Sequence, residues 1–461
     1  MDAQVQISRD QVSQEQVGQD QVGRDQVAQL HPEPHVPLWT PACRGAFRFC
    51  FVYFGLYCVA TQILGSLAPI PKVEIPDIGS LWPMRQITFW TTAHIFHAHL
   101  PLVYTDSGSG DKTFDWVLVF WLLIVSALAT GIWSFLDRKR ENYVTLCKWF
   151  RVFIRIALAG QMLTYGMDKL IPLQMPYPFL TRLLEPFRDF SPMGVLWASI
   201  GASPAYEMFA GCAEMLGGIL LIFPRATLLG ALVCIADMTQ VFMLNMTYDV
   251  PVKLLSFHLL LMALFLAATD FYRLADFFFR NRAVPPSTQP QLFQTRRANH
   301  IALAAQIVLG IWLLGMNAYG GWIDWHTYGS ARTKSALYGI WNVDELSIDG
   351  QIRSPLLTDY DRFHRAVFDF PESVAFQRMD DTFAYYGASI NGNDKTIALT
   401  KRSDKNWKGN LTFQRVPPDR LILDGSMDSH KIHMQLQLVD RSKFMLVSRG
   451  FHWIQEYPYN R

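Results

Sequence analysis

The chain has 461 residues, half of them apolar and 17% charged, with a net charge of +2. Ordinary globular proteins are about one quarter charged, so a string of soluble domains is excluded as the layout. The small charge, with no long basic run, also speaks against a nucleic-acid partner.

Charges thin out between Phe47 and Met316 and crowd together after Asp344, so the mean hydropathy of +0.11 averages two different materials. The six cysteines Cys43, Cys50, Cys58, Cys147, Cys212 and Cys234 all lie in the apolar part without a CxxC pair. Their placement neither demands nor excludes an oxidising compartment.

Residues 1–42 read as a polar tail. A pentad recurs at Val12, Val17, Val22 and Val27, and a step of five matches neither helix nor strand. The tail has no apolar run after a basic start, so it is no signal peptide. A bilayer core of about 30 Å calls for roughly 20 apolar residues in a helix. Seven stretches meet that demand, near 46–68, 114–136, 149–171, 205–223, 225–245, 252–274 and 299–318. The fourth and fifth meet at Phe223-Pro224-Arg225, which predicts an antiparallel hairpin. The lipid bilayer is the expected partner of this part.

Loop charges orient the bundle. Arg138, Lys139, Arg140 and Lys148 follow the second span, and Arg273, Arg280, Arg282, Arg296 and Arg297 lie between the sixth and seventh. Basic loops stay inside, which predicts a cytoplasmic N-terminus and a periplasmic or extracellular C-terminal domain. Between the first two spans, 81–100 has the spacing of an amphipathic helix at the outer interface. The outer loop 172–204 is rich in proline and aromatics.

After 330 the period changes. Ile432, Met434, Leu436 and Leu438 alternate with Lys431, His433, Gln435 and Gln437, a half-buried strand. Similar runs occur near 337–347, 363–370, 373–379, 382–390, 395–401, 409–416, 420–424 and 443–449. Asn391-Gly392-Asn393-Asp394 supplies a hairpin turn. The expected fold is therefore an α-helical polytopic membrane bundle of about seven spans plus a C-terminal antiparallel β-barrel.

Ionisable groups inside spans are costly, and each is a functional hypothesis. The predicted topology puts Lys169, Glu207, Glu214, Asn245, Asp249 and Lys253 in the outer half of one bundle, which nominates them as a ligand-binding set. Glu214 lies two turns beyond Glu207 on the same face, about 10.5 Å along the helix, and Asp237 lies further in. The alternative is a set of interfacial charges, with Lys169 paired to Glu207 or Glu214 as a structural ion pair. His94, His97 and His99 on the interfacial helix form a candidate metal set, with no carboxylate or cysteine beside them. The chain has no phosphate-binding glycine loop, nucleophile elbow or HExxH, so no catalytic motif and no cofactor is legible.

The run 145–275 resembles the DoxX-like family of four-helix membrane proteins, related in outline to the small subunit of thiosulfate:quinone oxidoreductase. Tyr165-Gly166-Met167-Asp168-Lys169-Leu170, Ser191-Pro192-Met193-Gly194-Val195-Leu196-Trp197, Glu214-Met215-Leu216-Gly217-Gly218-Ile219-Leu220-Leu221 and the stretch Asn245 to Lys253 carry the resemblance. It implies a membrane component, with a redox association as one option. Gly339-Ile340-Trp341 is similar to the opening of a lipocalin barrel, and that likeness places Arg449 over Trp341 and a small apolar ligand inside. The domains are then 1–42 tail, 43–144 two spans with the interfacial helix, 145–275 DoxX-like core, 276–330 inner loop and seventh span, and 331–461 lipocalin-like domain. Three roles stay open: an accessory or ligand-handling protein at the outer face, a quinone-linked oxidoreductase subunit, and a small-molecule transporter.

Overall fold

The computed structural model describes residues 39–460 apart from 74, 99–100 and 285–290. The pentad-repeat tail therefore lies almost wholly outside the described residues. The helical part comprises α1 (Pro41–Ala60), α2 (Met84–His94), α3 (Thr113–Leu136), α4 (Val144–Leu170), α5 (Pro192–Gly201), α6 (Pro204–Ile222), α7 (Thr227–Thr247), α8 (Lys253–Ala268), α9 (Phe271–Phe278) and α10 (Arg296–Thr327). Among the described residues, α1, α3, α6, α7 (with the turn at Pro224–Ala226) and α10 are each long and apolar enough to cross a membrane. Their outward faces carry Leu128, Ile132 and Phe135 on α3, and Val308 and Ile311 on α10. Apolar faces of this extent need lipid or another partner.

All seven apolar stretches are helical, but two differ in character from the expectation. The sixth ends at Ala268, and α9 leaves it at 79°. Asp270 and Arg273 pair there, and α9 buries none of its residues, so it suits an interface better than a bilayer core. The third, α4, is too polar for a lipid-facing span, since it holds Lys148, Arg151, Arg155, Asp168 and Lys169. It lies at the centre instead, packed by α1, α6, α8 and α10, with every residue from Ile154 to Leu163 buried. Neighbouring helices surround its buried charges Arg155 and Lys169.

The C-terminal part is a closed barrel. Strands β1 (Gly339–Ile348), β2 (Gln351–Ile352), β3 (Phe363–Phe368), β4 (Ser373–Arg378), β5 (Phe383–Asn391), β6 (Thr396–Lys401), β7 (Asp404–Val416), β8 (Arg420–Met427) and β9 (His430–Leu438) pair with their sequence neighbours, apart from the two-residue β2, which only flanks β1. β9 then returns to β1, with Trp341 opposite Leu438 and Ile348 opposite Ile432. Eight antiparallel strands thus close without an edge. That closure explains a correction: 443–449 is no strand, because β1 already occupies the free side of β9. The segment turns at Arg441–Lys443 and Met445–Ser448.

Large side chains fill the barrel. Phe363, Phe376, Tyr386 and Trp407 form a chain of ring contacts at 4.7–5.8 Å, and Met434 and Trp341 pack with them in one buried cluster. These residues occupy the interior that the lipocalin likeness assigns to a ligand. Trp341 donates from Nε1 to the Leu337 carbonyl at 2.9 Å. The cation over its ring is Arg415 at 5.7 Å, not Arg449, which sits over Tyr459 instead. Arg415 belongs to β7, where register holds it in place, whereas Arg449 follows the last strand.

The outer wall of the barrel docks on the loop between α4 and α5. Leu180 packs with Ile340, Val367 and Ala375. Asp369 ties the joint together, accepting from the Leu180 amide at 2.8 Å and pairing with Arg332, whose guanidinium lies between Phe179 and Phe370. At about 1.5 Å per residue the 32-residue α10 spans roughly 48 Å, well past a bilayer core. Its extra turns carry the chain to the barrel.

Candidate functional site

The site begins where α4 and α6 touch. Gly166 and Gly211 face each other so closely that a Cβ on Gly211 would meet the Leu170 amide nitrogen at 2.5 Å and the Gly166 carbonyl at 2.6 Å. Small residues at such crossings let backbones approach. One turn further along each helix stand Lys169 and Glu214, and Lys169 Nζ donates to Glu214 Oε1 at 2.6 Å. Glu214 is 2% exposed and Glu207 is fully buried. Glu207 Oε1 accepts from the Met175 amide at 2.8 Å, which pins the α4–α5 loop to the first turn of α6.

These groups face a cavity of about 140 Å³ enclosed by α4, α6, α7, α8 and the α4–α5 loop. Most of its wall is apolar, including Met162, Leu196, Trp197, Phe209, Met238 and Leu259. Helix α5 forms part of the cover: Ser191 caps it by accepting from the Gly194 amide at 3.0 Å, and Pro192 opens it. Three carboxylates meet a single lysine here, because Asp237 of α7 also lines the cavity. Among the described residues, Glu207 Oε2, Glu214 Oε2 and Asp237 Oδ2 are buried without a hydrogen-bond donor. A buried acceptor left so costs free energy, and a hydrogen-bond donor entering the cavity would relieve that cost.

Comparison with known proteins adds a relative. Over 118 residues, 25% of this chain and 73% of the other, the sequence is 30% identical to the uncharacterized protein YwoB of Bacillus subtilis (strain 168). The chain belongs to the YwoB family. No family model and no solved structure matches it. The relative's name assigns no activity.

Of the six residues nominated from sequence, Lys169, Glu207, Glu214 and Asn245 line the cavity together. Asn245 also holds the α7–α8 turn, donating to Ser256 Oγ at 3.0 Å and accepting from the Val250 amide. Asp249 and Lys253 lie outside it. Lys253 Nζ contacts Asp249 at 3.0 Å and Asp111 at 3.7 Å, while Asp111 accepts from the Lys253 and Leu254 amides and so caps α8. That is a helix-end role. His258, on the same helix, stacks on Tyr57 at 3.8 Å and bonds Tyr53 Oη at 2.6 Å, away from the carboxylates.

His94 and His97 do not share one helix. Helix α2 ends at His94, whose ring stacks on Trp90, and His97 lies beyond the helix with φ +50°. His99 lies outside the described residues, and among those described no group of three or more potential ligands is placed to hold a metal ion. Sequence reasoning overlooked Gln161, Tyr165, Trp197 and Gln240 on the cavity wall. Tyr165 and Trp197 enter the sequence reading only through the family resemblance, and nothing in local periodicity marks a tryptophan on the short helix α5 as cover for a cavity.

Proposed function

We propose that the protein is an integral membrane protein of the DoxX type that binds a small, chiefly apolar molecule bearing a hydrogen-bond donor or positive charge. The site lies in the outer half of the bundle, with Lys169, Glu207, Glu214 and Asn245 among its polar groups and Asp237 joining them. One observation carries the reading: three carboxylates, each with an oxygen lacking a donor, face one apolar cavity against a single lysine. Pockets of this composition select orientation by a few polar groups and take affinity from apolar walls. The likeness of 145–275 to the DoxX-like proteins supports the same placement. The barrel, docked on the loop that covers the cavity, serves as an external support for that loop.

The hydroxyls of a hydroquinone are donors of the required kind, which keeps a quinone-linked oxidoreductase partner as the second reading. The test is a thermal-stability series on purified protein in detergent, with an alkylamine, an alkanol, a hydroquinone and an alkanoate of matched size. The donors should raise the melting temperature and the alkanoate should not, and Glu214→Gln should diminish the effect. Equal responses to amine and alkanoate would remove the proposal.

A further inference from the structure

A second built site lies at the opposite end of the bundle, where α4 begins, α6 turns into α7 and the chain enters α10. Lys148, Arg151 and Arg155 stand at i, i+3 and i+7 on α4, one face of the helix. They line a cavity of about 60 Å³ together with Pro224, Thr227 and Leu292, and no carboxylate is among its lining residues. Lys148 Nζ donates to the Gln291 and Leu292 carbonyls at 2.7 and 2.9 Å. Arg155 is 5% exposed and donates to Thr227 Oγ1 at 3.3 Å and to Gln306. The Nε atoms of Arg151 and Arg155 are both buried without an acceptor. Neutral carbonyl, hydroxyl and amide partners hold Lys148 and Arg155 in place, and among the described residues no carboxylate pairs with Lys148, Arg151 or Arg155.

We propose that this cavity binds a phosphate group, either the headgroup of an anionic phospholipid or free phosphate. Burying uncompensated guanidinium groups is expensive, and a phosphate supplies both the charge and the acceptor oxygens they lack. Basic pockets between spans on the cytoplasmic side are recognised sites for acidic headgroups, and the positive-inside topology puts this end there. Exposed Trp149 packs on Phe293 at 5.5 Å beside it, an aromatic pair of the kind found at headgroup depth. This site shares no residue with the carboxylate cavity and does not depend on its reading.

The experiment uses the full chain in nanodiscs of phosphatidylcholine alone or with one fifth phosphatidylglycerol, and in detergent with and without millimolar inorganic phosphate. Readouts are the melting temperature and lipid retention in native mass spectrometry. Phosphatidylglycerol, but not phosphatidylcholine, should be retained and should stabilise the protein. Stabilisation by inorganic phosphate without lipid selection would assign the site to the free ion. Arg151→Gln should weaken binding about tenfold or more, the loss of one hydrogen bond to a charged group, while Arg138→Gln, outside the cavity, should not. No response to either phosphate source, or an undiminished response in Arg151→Gln, would overturn the proposal. Lipid selection by the unsubstituted protein is read independently should Arg151→Gln fail to fold.

Discussion

Lys169 and Glu214 form a buried ion pair across α4 and α6, 2.6 Å from nitrogen to oxygen, one turn beyond the glycines at which the two helices touch. The pair is thus set by backbone approach as much as by charge.

Gly211→Ala tests that dependence. Its Cβ would meet backbone atoms of α4 at 2.5–2.6 Å, and backbone cannot step aside as a flexible side chain does. Overpacking of this kind costs about 1–3 kcal/mol. A melting temperature equal to that of the unsubstituted protein would show that α4 and α6 do not depend on this contact.

Lys169→Met should destabilise by roughly 3–5 kcal/mol, because it leaves Glu214 buried without its cation. Adding Glu214→Leu should recover most of that loss, since apolar pairs often replace buried ion pairs at no cost. Denaturation of the single and double variants decides the matter. A double variant as unstable as the single would show that the loss comes from packing and not from the orphaned charge.

In the barrel, Trp341→Ala should cost roughly 3–5 kcal/mol as a cavity in a packed core. Arg415→Ala should cost about 0.5–1 kcal/mol through the lost cation–π contact, and Arg449→Ala should leave the barrel unchanged. Unfolding of the three variants ranks them, and a larger effect for Arg449 than for Arg415 would reverse the assignment.

His430 and Asp349 link β9 to the β1–β2 turn, with Nδ1 2.7 Å from the carboxylate. The hydrogen bond to Asp349 raises His430 above its ordinary value, and the bond from His430 holds Asp349 below the usual carboxylate range. A raised histidine stabilises the folded barrel fully below about pH 6.5 and loses that contribution as pH rises through its folded value. A lowered carboxylate contributes above about pH 4 and loses it as pH falls further. The link is therefore strongest between those limits. In an NMR titration, Asp349→Asn should shift the His430 midpoint downward, and an unmoved midpoint would show that the pair does not form in solution.

The expected topology is tested by reporter fusions after Arg140 and after Gly329, which should read inside and outside respectively. Matching readouts would overturn both the orientation and the assignment of the phosphate cavity to the cytoplasmic leaflet.

Helices and strands were legible in the sequence because their signals are local. Apolar runs such as 114–136 and the alternation from Lys431 to Leu438 state a period within a few residues, and burial of one face follows from it. The gathering of Lys169, Glu207, Glu214 and Asn245 was foreseeable too, since membrane depth converts position along each span into a shared coordinate. Depth leaves rotation about the helix axis undetermined, and rotation decided the rest. It turned Asp237 into the carboxylate cavity and the basic face of α4 toward α7, and it left Asp249 and Lys253 outside with Asp111. Closure of the barrel likewise depended on β9 finding β1, almost a hundred residues earlier in the chain. That single pairing put Arg415 over Trp341 and denied 443–449 a partner, because which side chains meet across a sheet is set by register between strands and not by the pattern within any one of them.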